Sequence, residues 1–186
     1  ALGTDTGGSV RGPASFCGIS GMKQTFGRVP KSGCVALGYS YDHIGPMARS
    51  VTDAAILLGV LEGAAPDPND PATTACAPQP HHDYTAFLKR DALKGARIGI
   101  PRAFFYEKAE IPGGQEPRGG LNPERARVML EAIAILQQQG AVIVDPANIP
   151  SVLETDRGRN VLAWDICEKA KGQDADCSVV LKYGFK

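Results

Sequence analysis

The 186-residue sequence predicts an α/β fold, a mixed, mostly parallel sheet flanked by helices on both faces. Three observations carry the prediction. Arg97-Ile98-Gly99-Ile100-Pro101 reads as a buried strand, a long capped helix follows from residue 123, and Ala141-Val142-Ile143-Val144 is a second strand. A strand, a long helix and another strand form a βαβ unit, whose strands run parallel. A separate helix begins after Ser50. Residues 1–49 are rich in Gly, Ser and Thr with short apolar pieces between, and read as irregular, site-forming structure with a few short strands.

Ser50 is an N-cap residue type, and Asp53 stands three residues on, in a variant of the capping box. Val51, Ala54, Ala55, Leu58 and Leu61 fall on one helical face, and Gly63 suits a C′ stop. Prolines 66, 68, 71, 78 and 80 make 64–82 an extended surface path, before a short helix from Asp83 to Leu88. Residues 111–120 are a Gly/Pro loop. Asn122 caps the long helix and Pro123 occupies its first turn. Ala126, Met129, Leu130, Ile133 and Leu136 form an apolar stripe read as core, and Gly140 ends the helix. A helix near 160–171 and a further element at Ser178–Tyr183 complete the reading. The organisation is one partial domain: 1–72 the motif-bearing core, 73–96 a connector, 97–186 the later α/β part.

Hydrophobic residues make up 43% and charged residues 22%, the profile of a globular chain with a core. Lys plus Arg and Asp plus Glu balance at 20 each, so no charge excess points to nucleic acid or an anionic membrane. No apolar run approaches the roughly 20 residues of a membrane span. The start, Ala1-Leu2-Gly3, has neither the basic nor the apolar segment of a signal peptide, and opens inside a Gly-rich motif. It reads as a cut point, which leaves the compartment open. The five cysteines include no C-x-x-C pair, which disfavours a zinc site and predicts mostly free thiols.

Chemistry concentrates in Gly3-Thr4-Asp5-Thr6-Gly7-Gly8-Ser9-Val10-Arg11-Gly12-Pro13. A Gly-Gly pair before a serine lets the backbone approach a ligand and adopt angles a side chain forbids. Successive N–H groups in such a turn can converge on one point, as an oxyanion hole requires. Acyl transfer needs such donors together with a nucleophile. The P-loop G-K-[ST] and the G-x-S-x-G elbow are both absent. Asp42-His43 offers a Ser–His–Asp arrangement only weakly, because adjacent residues rarely face one point. Cys17, between Phe16 and Gly18, reads as a small packed residue, and His81-His82 as solvated.

The same stretch resembles the core of the amidase signature. It is followed by Phe16-Cys17-Gly18-Ile19-x-Gly21-x-Lys23-x-Thr25-x-Gly27-Arg28-Val29, then by Tyr41-Asp42-His43-Ile44-Gly45-Pro46-Met47-Ala48-Arg49-Ser50-Val51. Asp53-Ala54-Ala55 continues the pattern. The likeness is dense over residues 2–72 and diffuse beyond. It implies the amidase signature fold, of which this chain is the downstream part, and a Ser–cis-Ser–Lys triad acting on carboxamides without metal or cofactor. By position Ser9 matches the acylating serine, and the backbone N–H groups of Thr6, Gly7, Gly8 and Ser9 match the oxyanion hole. Asp5 and Arg11 are read as loop supports rather than as groups that touch substrate. The implied bridging serine and lysine lie upstream of Ser9, whereas all nine lysines of this chain follow it.

The implied partner is a small-molecule or peptide amide. No nucleic acid is expected, and a homo-oligomer is compatible with the sequence. Asp145-Pro146-Ala147-Asn148-Ile149-Pro150 and Leu181-Lys182-Tyr183-Gly184-Phe185-Lys186 look more like the stand-alone and peptide-amidase branch. Two rivals stand beside it. One is the A subunit of a glutamyl-tRNA amidotransferase, which shares the acyl chemistry but needs partner subunits. The other is a catalytically inactive binding scaffold.

Overall fold

A computed structural model describes residues 1–163, in two compact units, 1–88 and 89–163. The helix expected near 160–171 lies outside the described residues from 164 on, as does the element at Ser178–Tyr183.

In the first unit the central strand is β3 (His43–Ala48). On one side it pairs antiparallel with β1 (Leu2–Asp5), Asp5 standing opposite His43 and Gly3 opposite Gly45. On the other it pairs antiparallel with β2 (Ser20–Gly21), giving the order β1-β3-β2. Between β1 and β2 the chain makes a short helix, α1 (Arg11–Phe16), which the irregular reading of 1–49 did not foresee. Small residues let these elements close up. A Cβ at Gly45 would lie 2.1 Å from the Met22 carbonyl oxygen, and one at Gly21 would lie 2.6 Å from the Ala14 Cβ. Val10, Ala14 and Val29 are buried here.

Helix α2 (Val51–Leu61) forms where its cap predicts: the Ser50 hydroxyl accepts the Asp53 N–H at 3.1 Å. It buries Ala54, Ala55, Leu58 and Gly59, a face of small residues that brings neighbouring backbone close. Val51, expected on that face, is exposed. The helix ends at an extended Glu62 rather than at a left-handed Gly63. The path from 64 to 82 is not simply extended. It coils into 3-10 turns at Pro71–Ala75 and Pro80–His82, and a third at Tyr84–Phe87 occupies the predicted Asp83–Leu88 site.

The second unit holds the predicted crossover. Strand β4 (Arg97–Gly99) leads through a hairpin, β5 (Lys108–Ala109) with β6 (Arg118–Gly119), to α3 (Pro123–Gln138) and β7 (Val142–Val144). β4 and β7 pair parallel, Ile98 opposite Ile143. The hairpin lies partly inside the loop expected at 111–120. The Asn122 side chain caps α3 by accepting the Arg125 N–H at 2.8 Å. Gly140 closes it with φ +91°, where the Ala141 N–H reaches the Leu136 carbonyl at 3.1 Å. A four-residue helix, α4 (Pro150–Leu153), follows.

Two burial expectations fail in this unit. Strand β4 is mostly exposed, and only the following Ile100 is buried. Of the α3 stripe, Ile133 alone is buried, while Met129 and Leu130 are exposed. Periodicity marks a face that is apolar, but it does not supply the layer that covers it. Among the described residues this face is covered only in part, at Ile133 and, half-buried, at Ala126 and Leu136.

Gly59 gives a test of the close packing. In an exposed helix interior Gly→Ala stabilises by about 1 kcal/mol. Here a Cβ at Gly59 would stand 2.0 Å from the His82 carbonyl oxygen, so backbone must move. Gly59→Ala is expected to lower stability by roughly 1–3 kcal/mol, the usual cost of overpacking. Calorimetric melting of the full-length protein checks the sign against Val60→Ala, an exposed neighbour expected to change the Tm little.

Candidate active site

The turn that follows β1 carries the predicted site. Asp5 ends the strand with its side chain fully buried. Its Oδ1 accepts the Gly8 N–H at 2.7 Å, and its Oδ2 accepts the N–H groups of Val10 at 3.2 Å and Arg11 at 3.3 Å. The Arg11 guanidinium closes on the same carboxylate from outside, Nε to Oδ2 at 3.0 Å and Nη2 to Oδ1 at 3.2 Å. Lys23 Nζ stands 3.7 Å from Oδ1. The Arg11 side chain, with the three backbone N–H groups, holds the Asp5 carboxyl well below the usual carboxylate range against the opposing effect of burial.

Gly8 has φ +137°, a region in which L side chains are strained. That geometry turns the chain so that Ser9 and Gly7 are exposed while Val10 is buried beneath them. Of the positions matched to an oxyanion hole, the Gly8 N–H is thus engaged by Asp5, Gly7 and Ser9 are exposed, and Thr6 is half-buried.

A second carboxylate grips the entrance of the turn, and sequence reasoning missed it. Asp42 is buried and accepts the Thr6 hydroxyl at 2.5 Å. It also accepts the Leu37 N–H at 2.9 Å and the Gly38 N–H at 2.9 Å. Burial by itself would raise the Asp42 pKa; the Thr6 hydroxyl and these N–H groups outweigh it and hold it low. His43 turns elsewhere. Its Nδ1 lies 2.7 Å from the Tyr41 carbonyl and its ring packs edge-on against Phe26 at 5.5 Å. Asp42 and His43 therefore do not act as a pair.

Two further buried knots brace the neighbouring segments. Lys31, 4% exposed, meets the fully buried Asp70 with Nζ 3.1 Å from Oδ2, and its backbone N–H donates to the same oxygen at 2.9 Å. Glu62 accepts from Arg28 Nη1 at 2.7 Å and from the Tyr84 hydroxyl at 2.6 Å, with His82 Nδ1 at 3.2 Å. Burial and the Glu62 carboxylate push Tyr84 up to about 12. His82, read as solvated, is instead half-buried in this knot.

Cys17, expected to be packed, is exposed beside an exposed Phe16. The short α1 ends there, and its one buried residue is Ala14. Cys17, Cys34 and Cys76 are free thiols. No group of three or more His, Cys, Asp or Glu side chains gathers as a metal site among the described residues. In the second unit a cleft of about 450 Å³ is lined by Glu107, Ile111, Val152 and Leu153, among others, and none of the predicted site residues lines it.

The sequence profile of the family described as Amidase matches residues 1–171, and the chain belongs to that family. It is 45% identical over 144 residues to the A subunit of the glutamyl-tRNA(Gln) amidotransferase of Chloroflexus aggregans, covering 77% of this chain and 26% of the relative. An amidase family protein from Bacillus anthracis superposes with a TM-score of 0.65 at 32% identity, over 80% of this chain and 26% of that one. The native peptide amidase of Stenotrophomonas maltophilia gives 0.61 at 34%, over 80% and 27%. The chain thus spans about a quarter of the length of the proteins it matches. These neighbours share the amidase signature fold, and this chain's mixed strands and parallel β4–β7 pair agree with the predicted α/β class. The likeness of 145–150 and 181–186 to the stand-alone branch has a counterweight. Curated relatives at 43–45% identity bear the amidotransferase name instead.

The site carboxylates share one pH signature. Asp5, Asp42, Glu62 and Asp70 are all held below their ordinary values in the folded state. For Glu62 and Asp70 burial opposes this, and is outweighed by Tyr84 and Arg28 in the first and by the Lys31 N–H and ammonium in the second. The unfolded chain, with carboxylates near 4, binds protons first as pH falls. Their contribution to stability is therefore complete above about pH 4–5 and lost as pH falls through the folded values. The Tm of the full-length protein is expected to drop steeply below about pH 4. Asp70→Asn should flatten that drop and lower the Tm at neutral pH, because it strands the buried Lys31 ammonium.

Proposed function

We propose that the full-length protein hydrolyses a carboxamide through an acyl-Ser9 intermediate. The observation that carries this reading is the turn itself: an exposed serine after a glycine in a conformation closed to other residues, pinned by a buried carboxylate, in a chain of the amidase family. Ser9 Oγ attacks the amide carbonyl as its proton passes to a base. The developing oxyanion faces the outer N–H groups of the Thr6–Ser9 turn, with the Gly8 N–H retained by Asp5. Collapse expels ammonia or an amine, which takes up the proton. Water then attacks the ester, releases the acid and restores the serine. The family resemblance assigns the proton relay to a bridging serine and a neutral lysine that precede the nucleophile. Only eight residues precede Ser9 here. The 186-residue chain by itself is expected to turn over no amide, since an unactivated serine is a weak nucleophile. Ser9-dependent turnover by this chain alone would show those groups to be dispensable.

A second reading has one observation in its favour, the 45% identity to the A subunit of an amidotransferase. In it the same Ser9 chemistry releases ammonia for a tRNA-bound acyl group within a multi-subunit complex. Ammonia release from glutamine that rises on co-expression with partner subunits favours this reading. Partner-independent hydrolysis of peptide amides favours the first.

A fluorophosphonate probe should label Ser9 in the full-length protein, and Ser9→Ala should reduce hydrolysis by several orders of magnitude. Labelling that persists in Ser9→Ala, at Cys17 or at another serine, overturns the assignment. A lysine base must be neutral, and its ordinary pKa is about 10.4, so kcat should climb from neutral to mildly alkaline pH. His43→Gln should keep that profile. A folded His43→Gln enzyme without activity would revive the histidine mechanism.

A further inference from the structure

We propose that Asp42 is a positioning residue of the acyl-transfer site, fixing the Thr6 peptide, and so the first N–H of the oxyanion turn, through the Thr6 hydroxyl. The proposal rests on the reading of Ser9 as nucleophile.

The turn has two ends, and they are held by different groups. Asp5 binds the N–H groups of Gly8, Val10 and Arg11, which fixes the exit. Thr6, at the entrance, has its side chain on Asp42 instead. Asp42 is itself locked. Its Oδ2 accepts the N–H groups of Leu37 and Gly38 on its own loop at 2.9 Å each, its Oδ1 accepts the same Gly38 N–H at 3.1 Å, and it is 7% exposed. Three bonds from backbone donors hold the carboxylate in one orientation, so the 2.5 Å bond from the Thr6 hydroxyl to Oδ1 restrains where Thr6 stands.

The anchor is also short. Asp42 directly precedes β3, and β3 pairs with β1 so that His43 stands opposite Asp5. Turn and anchor are thus adjacent ends of one two-stranded ladder, with no flexible segment between them. Threonine suits position 6 because its β-branched side chain is stiff at χ1. Holding its hydroxyl therefore restricts its backbone as well.

The consequence is catalytic because of how an oxyanion hole works. Its donors act only within about 2.7–3.1 Å of the place the oxyanion will occupy. A displacement of about 1 Å can cost a factor of 100 in rate. Removing the Asp42–Thr6 bond leaves the serine, its base and the exit of the turn in place, and frees the Thr6 peptide to drift. The loss should fall on kcat rather than on KM, since the hole binds the transition state and not the ground state.

The test uses the full-length enzyme with Thr6→Val, Thr6→Ser, Asp42→Ala and the Thr6→Val/Asp42→Ala double variant. The readouts are kcat and KM on an amide it hydrolyses, the rate of fluorophosphonate labelling of Ser9, and Tm. Thr6→Val keeps the shape and deletes the donor. It is expected to lower kcat and the labelling rate roughly tenfold to a hundredfold with KM little changed. Thr6→Ser, which keeps the hydroxyl, should recover most of the rate. The double variant should be no slower than Asp42→Ala, because both changes break one bond. Thr6→Val with the parental kcat, a loss confined to KM, or single losses that multiply in the double variant would each overturn the proposal. Where Asp42→Ala does not fold, the Thr6→Val and Thr6→Ser pair decides alone. Hydrolysis that survives Ser9→Ala removes the nucleophile reading itself, an outcome distinct from a Ser9-dependent enzyme indifferent to Thr6→Val.

Discussion

The first unit depends on the burial of one charge. Asp5 sits at the end of a strand with no solvent exposure, a position where an unpaired carboxylate is strongly disfavoured. It is tolerated because donors surround it: three backbone N–H groups of the next six residues and the guanidinium of Arg11. Those donors can meet one carboxylate only if the chain reverses tightly after β1, and the reversal passes through a glycine at φ +137°. The exposed serine on the turn is thus a consequence of satisfying the charge. Deleting that charge would loosen the loop and strand Arg11 at the same time.

The same device recurs through the unit. Asp42, Glu62 and Asp70 are all buried, all ionised, and all bound to groups far away in sequence. The apolar core beside them is built from small residues, with Val10, Val29 and Leu58 among the largest. Small side chains let backbones approach closely, as at Gly45 and Gly59, but they bury little apolar surface. Buried pairs contribute little net stability when intact and cost several kcal/mol when broken. Their effect is to select one arrangement of the segments around Ser9, each pair joining a motif-bearing stretch to another: Thr6 to Asp42, Arg28 to Glu62, Lys31 to Asp70.

That pattern explains what the sequence disclosed and what it withheld. Local rules were legible. Ser50 and Asn122 announce their caps, Gly140 its stop, and the alternation of strand, helix and strand its parallel pair. The tight turn at Gly7-Gly8-Ser9 was legible because glycine pairs before a serine are a backbone constraint written in one short stretch. The partners of the carboxylates were not. Asp42 lies 36 residues from Thr6, Glu62 lies 34 from Arg28, and Asp70 lies 39 from Lys31. No periodicity links such pairs, so Asp42 was weighed only with its neighbour His43. Cys17 and the stripe on α3 show the converse limit. Both were assigned to a core from local composition, and exposure is decided by what packs opposite.

The arrangement also separates two parts of an acyl transfer. The groups that fix the proposed oxyanion turn, Asp5, Arg11 and Asp42, all fall within the first 42 residues and are bound to one another by the β1–β3 ladder. They set where charge can accumulate, and they do so before any substrate arrives, which is why such preorganisation lowers a barrier without reorganising in the reaction. The proton transfer that the proposed acylation by Ser9 requires makes a different demand, a base within hydrogen-bond reach of Oγ. Asp5 is bound to the turn, Asp42 to Thr6, and the His43 Nδ1 lies against the Tyr41 carbonyl. In the proposed reaction, holding the turn and activating the serine are thus separate demands. The turn can be intact in a protein that lacks a base, and a base can be present in one whose turn has slackened.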